Sequence, residues 1–435
     1  MSEPDTAPSA RWAAIDLRGA HRPQPGSSAG PLVRICGLPV LVRNLLLLQR
    51  AGVDTAILLC EPEARPLVEP VLAREPRLRL RVIWALDDRD LLRSPEDSPS
   101  ELIYWPGALT FGRRLPALAT ASLSEPTTAL VPVHGDRPAP GPVLLAGVEL
   151  QALPEAGGLS ALLERLALTD RVQRFSLEHA PRLVLDRASA RQAEAELLRS
   201  LRKDVDGAVA KFDRYVSLAV SRYLMRLPVR PNHVTVLAGL LGVACGVVAS
   251  LGGYWPMLIA ALGFQLNSIL DGIDGEIARA KLLESRLGQW MDTLADDSSN
   301  LSYALGLCVG CYRTYGSSVY LGLGVVTGVG FIITAVLMYR YVITVAHSGD
   351  LNDFKMPWEA ATGAAPVTAP TGLAALLARL KFTVRRDTFV FLSTCFAVVG
   401  QLRVMTWLFA AGVSAVWLSI VGYHVVRPGL RSHAE

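Results

Sequence analysis

Long apolar segments in the second half of the chain constrain its fold most strongly. A membrane-spanning helix needs about 20 mostly apolar residues. Six candidate segments follow residue 230, at 233–252, 254–274, 289–311, 317–345, 386–401 and 403–426. Because a backbone in lipid must satisfy its hydrogen bonds internally, we predict that this half is an all-α polytopic membrane domain with six transmembrane helices.

Basic residues near the ends of these segments predict their orientation. Lysine and arginine collect in cytoplasmic loops. If the N-terminus lies inside, one side receives Arg279, Lys281, Arg286, Lys355, Arg379, Lys381, Arg385, Arg386, Arg427 and Arg431. The opposite side receives Arg313 and Arg403. The first residues lack the pattern of a secretory signal. We therefore expect a multi-pass protein of the cytoplasmic (inner) cell membrane with both termini in the cytoplasm.

The first half of the chain reads as a soluble α/β domain. Helical periodicity at residues 40–52 is followed by strand-like runs at 54–60, 78–86, 101–109 and 141–153. Strands that alternate with helices predict a Rossmann-like, mainly parallel sheet that is covered on both faces. We place this cytoplasmic domain at residues 1–198.

A linker is expected at residues 199–230, followed by the membrane domain at 231–428. Within the linker, residues 206–226 carry apolar positions at helical spacing with basic residues between them. This pattern favours an amphipathic helix in the membrane interface over an ordinary packing helix.

Two other kinds of site find little support in the sequence. The net charge is only +4, and no basic patch with interleaved aromatic residues stands out, so we expect no nucleic-acid partner. Cys308 and Cys311 form a CxxC motif inside an apolar run. That context favours small residues that pack between membrane helices over a redox pair.

Acidic residues lie between the second and third apolar segments, where charges are costly and usually mark function. Asp271 and Asp274 are three residues apart and share one helix face with Ala278. Asp292 and Asp296 are four residues apart on the next helix. Since a short turn joins the two helices, four carboxylates are predicted to converge.

Four converging carboxylates repel one another unless a cation binds between them. Oxygen ligands favour Mg²⁺ or Mn²⁺ over zinc, and four aspartates can hold two ions. Gly275 and Gly288 leave room for a bulky ligand, and Arg279 can pair with a phosphate. Charges solvated at the membrane boundary are the simpler alternative, but they would not require two matched faces. We interpret Glu276, Glu284 and Asp297 as solvated or supporting residues.

These positions resemble the signature of the CDP-alcohol phosphotransferases. The eight matching residues are Asp271, Asp274, Gly275, Ala278, Arg279, Gly288, Asp292 and Asp296, which lie within 26 residues. Residues 226–242, with Pro231, Asn232 and Thr235, resemble the start of the first membrane helix in that family. Arg385 to Asp387 resemble the start of the fifth. The resemblance covers about residues 200–428.

The resemblance implies a reaction in which an acceptor hydroxyl attacks the β-phosphorus of a CDP-alcohol and CMP leaves. It implies that Asp271, Asp274 and Asp292 are metal ligands, and that Asp296 is the general base and a further ligand. It also implies a nucleotide pocket, formed by Asp271, Asn232, Thr235, Gly275, Ala278, Arg279 and Gly288. Arg385 and Arg386 would contact an acceptor phosphate, or act as basic membrane anchors.

The order of the two halves resembles fused enzymes in which a nucleotidyltransferase-like domain precedes the membrane domain. Residues 37–59 are similar to a segment of that domain. However, residues 15–34 contain no GxGxR-like loop, and the first lysine in the chain is Lys203. Asp186 is the one position that could correspond to a second metal ligand of such a domain. We therefore predict a degenerate domain that serves docking, regulation or dimer contacts.

Several alternatives remain open at this point. The donor is CDP-diacylglycerol or a soluble CDP-polyol such as CDP-inositol, and the acceptor is an alcohol, an inositol phosphate or a lipid alcohol. A bifunctional enzyme would also make CDP-inositol from CTP and inositol phosphate. A transporter with an acidic site is a different class, but it would place charges near the bilayer midplane in both halves. A homodimer embedded in membrane lipid is implied by the resemblance alone.

Overall fold

A computed structural model gives the architecture of the chain. It describes residues 11–19, 22, 30–87, 90, 101–110, 129–134, 137–138, 142–146, 149, 161–162, 165, 172–176, 182–201, 208–341, 343–344 and 386–426. The chain divides into two compact units. The first contains Met1–Arg202 and Ala280–Leu282, and the second contains Lys203–Arg279 and Leu283–Glu435.

Strands and helices alternate in the first unit, as the sequence predicts. The described strands are β1 (Arg11–Asp16), β2 (Arg34–Ile35), β3 (Leu38–Pro39), β4 (Thr55–Leu59), β5 (Arg81–Ala85), β6 (Glu101–Pro106), β7 (Leu109–Thr110), β8 (Ala129–His134), β9 (Arg137–Pro138), β10 (Val143–Ala146), β11 (Val172–Ser176) and β12 (Arg182–Leu183). The helices are α1 (Val40–Arg50), α2 (Arg65–Ala73) and α3 (Arg187–Ser200).

The main sheet has the strand order β11-β8-β10-β6-β1-β4-β5, and β9 pairs with β8. Strand β1 is parallel to both β4 and β6, and β4 is parallel to β5. Strand β10 is antiparallel to β6 and to β8. The prediction of a parallel-rich α/β sheet is therefore confirmed, but the sheet is mixed rather than wholly parallel.

Burial explains why these segments form a sheet with helices against it. Residues Trp12 to Asp16 of β1 are buried, and so is all of β4, as expected for strands covered on both faces. Helix α1 buries residues Val40 to Leu48. It ends before Gly52, whose φ of +84° suits glycine just beyond a helix.

Residues Ala280–Leu282 belong to the first unit, although they lie far along the chain. Leu282 is 4% exposed and packs in an apolar cluster with residues of β3 and α1, namely Leu38, Val42, Leu46 and Leu47. Three arginines donate to main-chain carbonyls here: Arg43 to Ala280 at 2.6 Å, Arg50 to Leu282 at 2.9 Å and Arg77 to Lys281 at 2.9 Å. Arginines can thus satisfy carbonyls that a helix end leaves unpaired.

The second unit is helical throughout its described residues. Its helices are α4 (Ala208–Leu224), α5 (Pro231–Ser250), α6 (Tyr254–Lys281), α7 (Arg286–Tyr315), α8 (Val319–Tyr341), α9 (Arg386–Val398) and α10 (Leu402–Val426). The amphipathic helix predicted at 206–226 corresponds to α4. Residues 346–384, between the predicted fourth and fifth spans, lie outside the described residues.

Three described helices are long and apolar enough to cross a membrane: Pro231–Ser250, Tyr254–Lys281 and Val319–Tyr341. The chain is a membrane protein, and three of the six predicted spans are supported in this way. Helix α7 is long, but it contains Asp292, Asp296 and Asp297 in its first half. The apolar parts of α9 and α10, Thr388–Val398 and Leu402–Ser414, are shorter. The count of six spans therefore stays a prediction.

Helices α5 and α7 pack closely through small residues. A Cβ placed on Gly239 would lie 3.0 Å from the Cβ of Ala295, and one on Gly242 or Gly246 would overlap Ser299 or Ser302. Such small-residue contacts are a common basis of helix association in membranes. The packing fixes α7, which carries Asp292 and Asp296, against α5.

Aromatic packing joins α6, α7 and α9 deeper in the same unit. The rings of Phe264 and Tyr303 are stacked with centroids 4.1 Å apart. The Tyr303 hydroxyl lies 2.7 Å from Ser393 Oγ, and all three side chains are buried. Cys308 and Cys311 are buried free thiols, which agrees with the prediction that they pack between helices.

Candidate metal centre

Three aspartates from two neighbouring helices come together in the second unit. Asp271 lies on α6, and Asp292 and Asp296 lie on α7. Each offers a carboxylate oxygen, and these oxygens all lie within 4.8 Å of one another. All three residues are half-buried. The structure thus brings together three of the four aspartates that the sequence predicts to converge.

The fourth aspartate, Asp274, lies beside this group in a buried position. It is 4% exposed, and its carboxylate accepts a hydrogen bond from the Thr235 hydroxyl. The negative charges of Asp292 and Asp271 act on it electrostatically. A buried carboxylate next to like charges is unfavourable unless a positive charge offsets them.

The residues present fit a divalent cation. Carboxylate oxygens are the ligands that Mg²⁺ and Mn²⁺ prefer. The converging oxygens are close enough to share an ion, and Asp274 adds a further buried acid. We therefore define the candidate metal centre as Asp271, Asp274, Asp292 and Asp296.

Small residues and one arginine lie near the aspartates along α6 and α7. The Arg279 guanidinium lies over Gly275, where a Cβ would be 2.9 Å from Arg279 Nη1. On α7, a Cβ on Gly288 would lie 3.5 Å from Asn232 Oδ1. Ala278 is half-buried on α6, one turn beyond Asp274. The structure thus brings Asn232 of α5 next to Gly288, which chain order alone does not show.

The position of Glu276 decides between the two interpretations, solvated or supporting, that the sequence leaves open. The sequence leaves open that Glu276 is solvated, but its side chain has no exposed surface. Ser217 Oγ donates to Glu276 Oε1 at 2.7 Å, and Ser221 Oγ donates to Oε2 at 2.6 Å. Both serines lie on α4, so this carboxylate joins two helices. Glu284, in contrast, is exposed.

Asp297 also has a partner. The Tyr339 hydroxyl of α8 donates a hydrogen bond to Asp297 Oδ2. The Tyr339 ring packs edge-on against Trp290, with centroids 5.5 Å apart. Asp297 therefore ties α7 to α8 beside the metal centre. Tyr339 could not be predicted as part of this site, because a lone tyrosine in an apolar run is typical of a packing residue.

The predicted acceptor residues are not placed. Arg385 lies outside the described residues. Arg386 begins α9, but its side chain is not described. Their role stays a prediction.

Asp16 ends β1 in the first unit, at the start of the segment that a triphosphate-binding loop would occupy. Asp16 accepts hydrogen bonds from Arg18 Nε at 2.9 Å and from the Tyr104 hydroxyl at 2.7 Å. Arg22 pairs with Glu61 at 2.8 Å and with Glu63 at 2.6 Å. Arg18 and Arg22 are thus each paired with acids.

Asp186 has a structural role at the start of α3. Its carboxylate accepts from the Ser189 backbone N–H at 2.7 Å, and the two residues form a capping box. A helix N-cap explains this aspartate without a metal.

Comparison with known proteins identifies the region that holds the metal centre. Residues 228–409 match the sequence profile of the family described as CDP-alcohol phosphatidyltransferase. This part of the chain therefore matches the CDP-alcohol phosphatidyltransferase family, in agreement with the resemblance seen in the motif positions. The match gives the transporter alternative no support.

Two relatives are bifunctional by name. The "Bifunctional IPC transferase and DIPP synthase" of Aquifex aeolicus is 33% identical over 120 residues, which are 27% of this chain and 27% of the relative. The protein of that name from Thermococcus kodakarensis is 41% identical over 92 residues, 21% of this chain and 20% of the relative. The matches span about a quarter or less of these curated relatives.

Two solved structures are each similar to about half of the chain. The Mycobacterium tuberculosis phosphatidylinositol phosphate synthase with CDP-DAG bound is 16% identical with a TM-score of 0.36, over 51% of this chain and 99% of the other. The inositol-1-phosphate CTP transferase from T. maritima is 13% identical with a TM-score of 0.34, over 44% and 97%.

Proposed function

We propose that this protein is an integral-membrane transferase that moves a phospho-alcohol group from a CDP-alcohol to an acceptor hydroxyl and releases CMP. The observation that carries the proposal is the meeting of Asp271, Asp292 and Asp296 from two helices within 4.8 Å. Their position inside a CDP-alcohol phosphatidyltransferase domain supports the same reaction.

Two Mg²⁺ or Mn²⁺ ions are the proposed cofactors, held by Asp271, Asp274, Asp292 and Asp296. When bound, such ions neutralise charge on the diphosphate and on the phosphoryl group being transferred. Gly275, Ala278 and Gly288 leave space for the nucleotide, together with Asn232, Thr235 and Arg279. The Arg279 guanidinium, which lies over Gly275, is suited to a phosphate oxygen.

Asp296 is proposed as the general base. It takes the proton from the acceptor hydroxyl while that oxygen attacks the β-phosphorus of the donor. A new P–O bond forms to the acceptor, the bond from the β-phosphorus to the bridging oxygen breaks, and CMP leaves with the electron pair. A carboxylate suits this role because it can accept a proton from a hydroxyl, and Asp296 lies among the residues proposed to bind the reacting groups.

The donor is a CDP-alcohol, either CDP-diacylglycerol or a CDP-polyol such as CDP-inositol. The acceptor is an alcohol or an inositol phosphate, and Arg385 and Arg386 are candidate contacts to an acceptor phosphate. The proposed setting is the cytoplasmic membrane, with six spans, both termini in the cytoplasm, and a homodimer in lipid.

The first test is CMP release by the purified full-length protein with Mg²⁺. CDP-diacylglycerol and CDP-inositol serve as donors against a panel of acceptor alcohols. Release with CDP-diacylglycerol makes the protein a phospholipid synthase. Release with CDP-inositol alone places it with the enzymes of soluble polyols. No release with either donor contradicts the proposal.

A bifunctional enzyme is the second candidate, favoured by the names of the two relatives. Against it, Arg18 and Arg22 are paired with acids where a triphosphate would need positive charge. We propose that the domain at residues 1–198 is degenerate. Pyrophosphate release from CTP and an inositol phosphate by the full-length protein would overturn this view.

A further inference from the structure

We propose that Glu276 is a positioning residue: its buried carboxylate fastens α4 to α6 and sets the rotation of α6 that directs Asp271 and Asp274 into the metal centre. The inference rests on the proposed function, because it assigns those aspartates to a metal. Glu276 itself points away from the metal centre, so it is not a ligand in this proposal.

The first observation is the way in which Glu276 is held. Its side chain is fully buried, and a buried carboxylate is retained only when donors satisfy it. Ser217 and Ser221 each donate to a different carboxylate oxygen, at 2.7 and 2.6 Å. Arg214 adds a positive charge, with its Nη1 3.7 Å from Oε1.

Further contacts extend this arrangement along both helices. Gln265 Nε2 donates to Asp213 Oδ1 at 2.8 Å. The backbones also approach closely, since a Cβ on Gly272 would lie 3.3 Å from Ser217 Oγ. The polar seam consists of Asp213, Ser217 and Ser221 on α4 with Gln265, Gly272 and Glu276 on α6. The α4 members follow one another at four-residue spacing, which makes a stripe on one face.

The polar seam lies on the side of α6 opposite to Asp274. Each residue of an α-helix advances about 100° around the axis. Asp274 comes two residues after Gly272 and two residues before Glu276, so it lies about 200° from each. Asp271 lies about 60° from Asp274, on the metal-centre side. The seam therefore cannot supply ligands, but it can fix how α6 is turned.

Rotation matters because ligand geometry is strict. The groups of a binding site must lie within roughly 0.5 Å and 10–20° of the geometry that binds the ligand. Apolar contacts between membrane helices are non-directional, whereas hydrogen bonds to two different oxygens of one carboxylate define a direction. Glu276 thus gives α6 an orientation that apolar packing does not specify.

The experiment compares Glu276→Gln, Glu276→Ala and the double variant Ser217→Ala/Ser221→Ala with wild type. Glutamine can accept from one serine hydroxyl and donate to the other. Glu284→Ala is the matched control, since it removes an exposed glutamate just beyond the same helix. Mn²⁺ binding is followed by electron paramagnetic resonance, amide exchange of residues 208–224 by mass spectrometry, and turnover by CMP release.

We expect Glu276→Ala and the double serine variant to speed exchange in α4 and to weaken Mn²⁺ binding about tenfold or more. Glu276→Gln should stay within about threefold of wild type, and Glu284→Ala should match it. Faster exchange with unchanged Mn²⁺ affinity would overturn the positioning role and leave a structural tie. If amide exchange in α4 is unchanged in both Glu276→Ala and the double serine variant, the polar seam does not hold α4 against α6. A wild type that binds no Mn²⁺ would overturn the metal centre, and this failure is visible before any variant is compared.

Discussion

Thr235 on α5 donates a hydrogen bond to the carboxylate of Asp274 on α6, and both side chains are buried. The aspartate is therefore oriented by a neighbouring helix as well as by its own. The resemblance implied that Thr235 contacts the nucleotide. In the structure, the Thr235 hydroxyl orients Asp274, a candidate metal ligand.

Thr235→Ala is expected to raise the Mg²⁺ concentration needed for half-maximal CMP release by about tenfold. A hydrogen bond to a charged group contributes about 1.5–3 kcal/mol, and its loss leaves Asp274 free to turn. Thr235→Ser keeps the hydroxyl and should stay close to wild type. Thr334→Ala is the control, because the Thr334 hydroxyl bonds to the carbonyl of Gly330 within its own helix. If Thr235→Ala and Thr235→Ser require the same Mg²⁺ concentration, the Thr235 hydroxyl does not orient Asp274 for metal binding.

Asp292→Asn and Asp296→Asn are expected to lower the rate of CMP release at least a hundredfold. Loss of Asp292 weakens the metal centre, and loss of Asp296 removes the proposed base, whose contribution is typically 10²–10⁴-fold. The two variants should differ in Mn²⁺ affinity, with the larger loss for Asp292→Asn. Glu284→Gln, an exposed acid outside the metal centre, serves as the matched control. Activity near wild type in either aspartate variant contradicts the assignment.

Metal removal should affect stability as well as turnover. Chelation by EDTA is expected to abolish CMP release, and Mg²⁺ or Mn²⁺ should restore it. Without a cation the clustered carboxylates repel one another, so thermal unfolding should begin at a lower temperature in EDTA than in Mg²⁺. Asp292→Asn removes one charge and should shrink this difference, which differential scanning fluorimetry in detergent can measure. Full turnover in EDTA would contradict a metal-dependent mechanism.

Gly246→Ala is expected to disrupt the packing of α5 on α7. Its Cβ would overlap the backbone and side chain of Ser302, so the two helices must separate. Overpacking of this kind costs about 1–3 kcal/mol, and the thermal midpoint should fall. Gly322→Ala is the matched control, because no atom lies within 4 Å of its Cβ position and alanine favours a helix. A midpoint for Gly246→Ala equal to that of Gly322→Ala would show that close packing is unnecessary.

Local patterns predicted much of the fold and of the metal centre. Helix α1 and strand β4 follow from periodicity and from Gly52, and the meeting of Asp271 with Asp292 follows from helical spacing across a short turn. These predictions depend only on residues that are close together in the sequence.

Strand β1 was not predicted, although it lies between β4 and β6 in the main sheet. Its short sequence, RWAAID, carries few of the β-branched residues that signal a strand.

Contacts between distant helices could not be read from periodicity. The sequence pattern around Glu276 is the same whether its carboxylate is exposed to water or bonded to two serines. Only the packing of α4 against α6 determines that it is buried. The same holds for Tyr339 with Asp297. The antiparallel strand β10 was unpredictable for a related reason, since strand direction depends on where the chain crosses the sheet.

Acid is expected to weaken the first unit through Asp16. Burial would raise the pKa of Asp16, but hydrogen bonds from the Arg18 side chain and backbone and from Tyr104 outweigh it and hold the pKa below its usual value. A lowered folded-state pKa stabilises the fold above the unfolded pKa, and this contribution is lost as pH falls through the folded value. Asp16→Asn should therefore cost about 2 kcal/mol at pH 7. The difference from wild type should shrink below about pH 4, as measured by hydrogen exchange of residues 11–16 in the full-length protein. A difference that stays constant with pH would show that the ionised carboxylate is not what stabilises this strand.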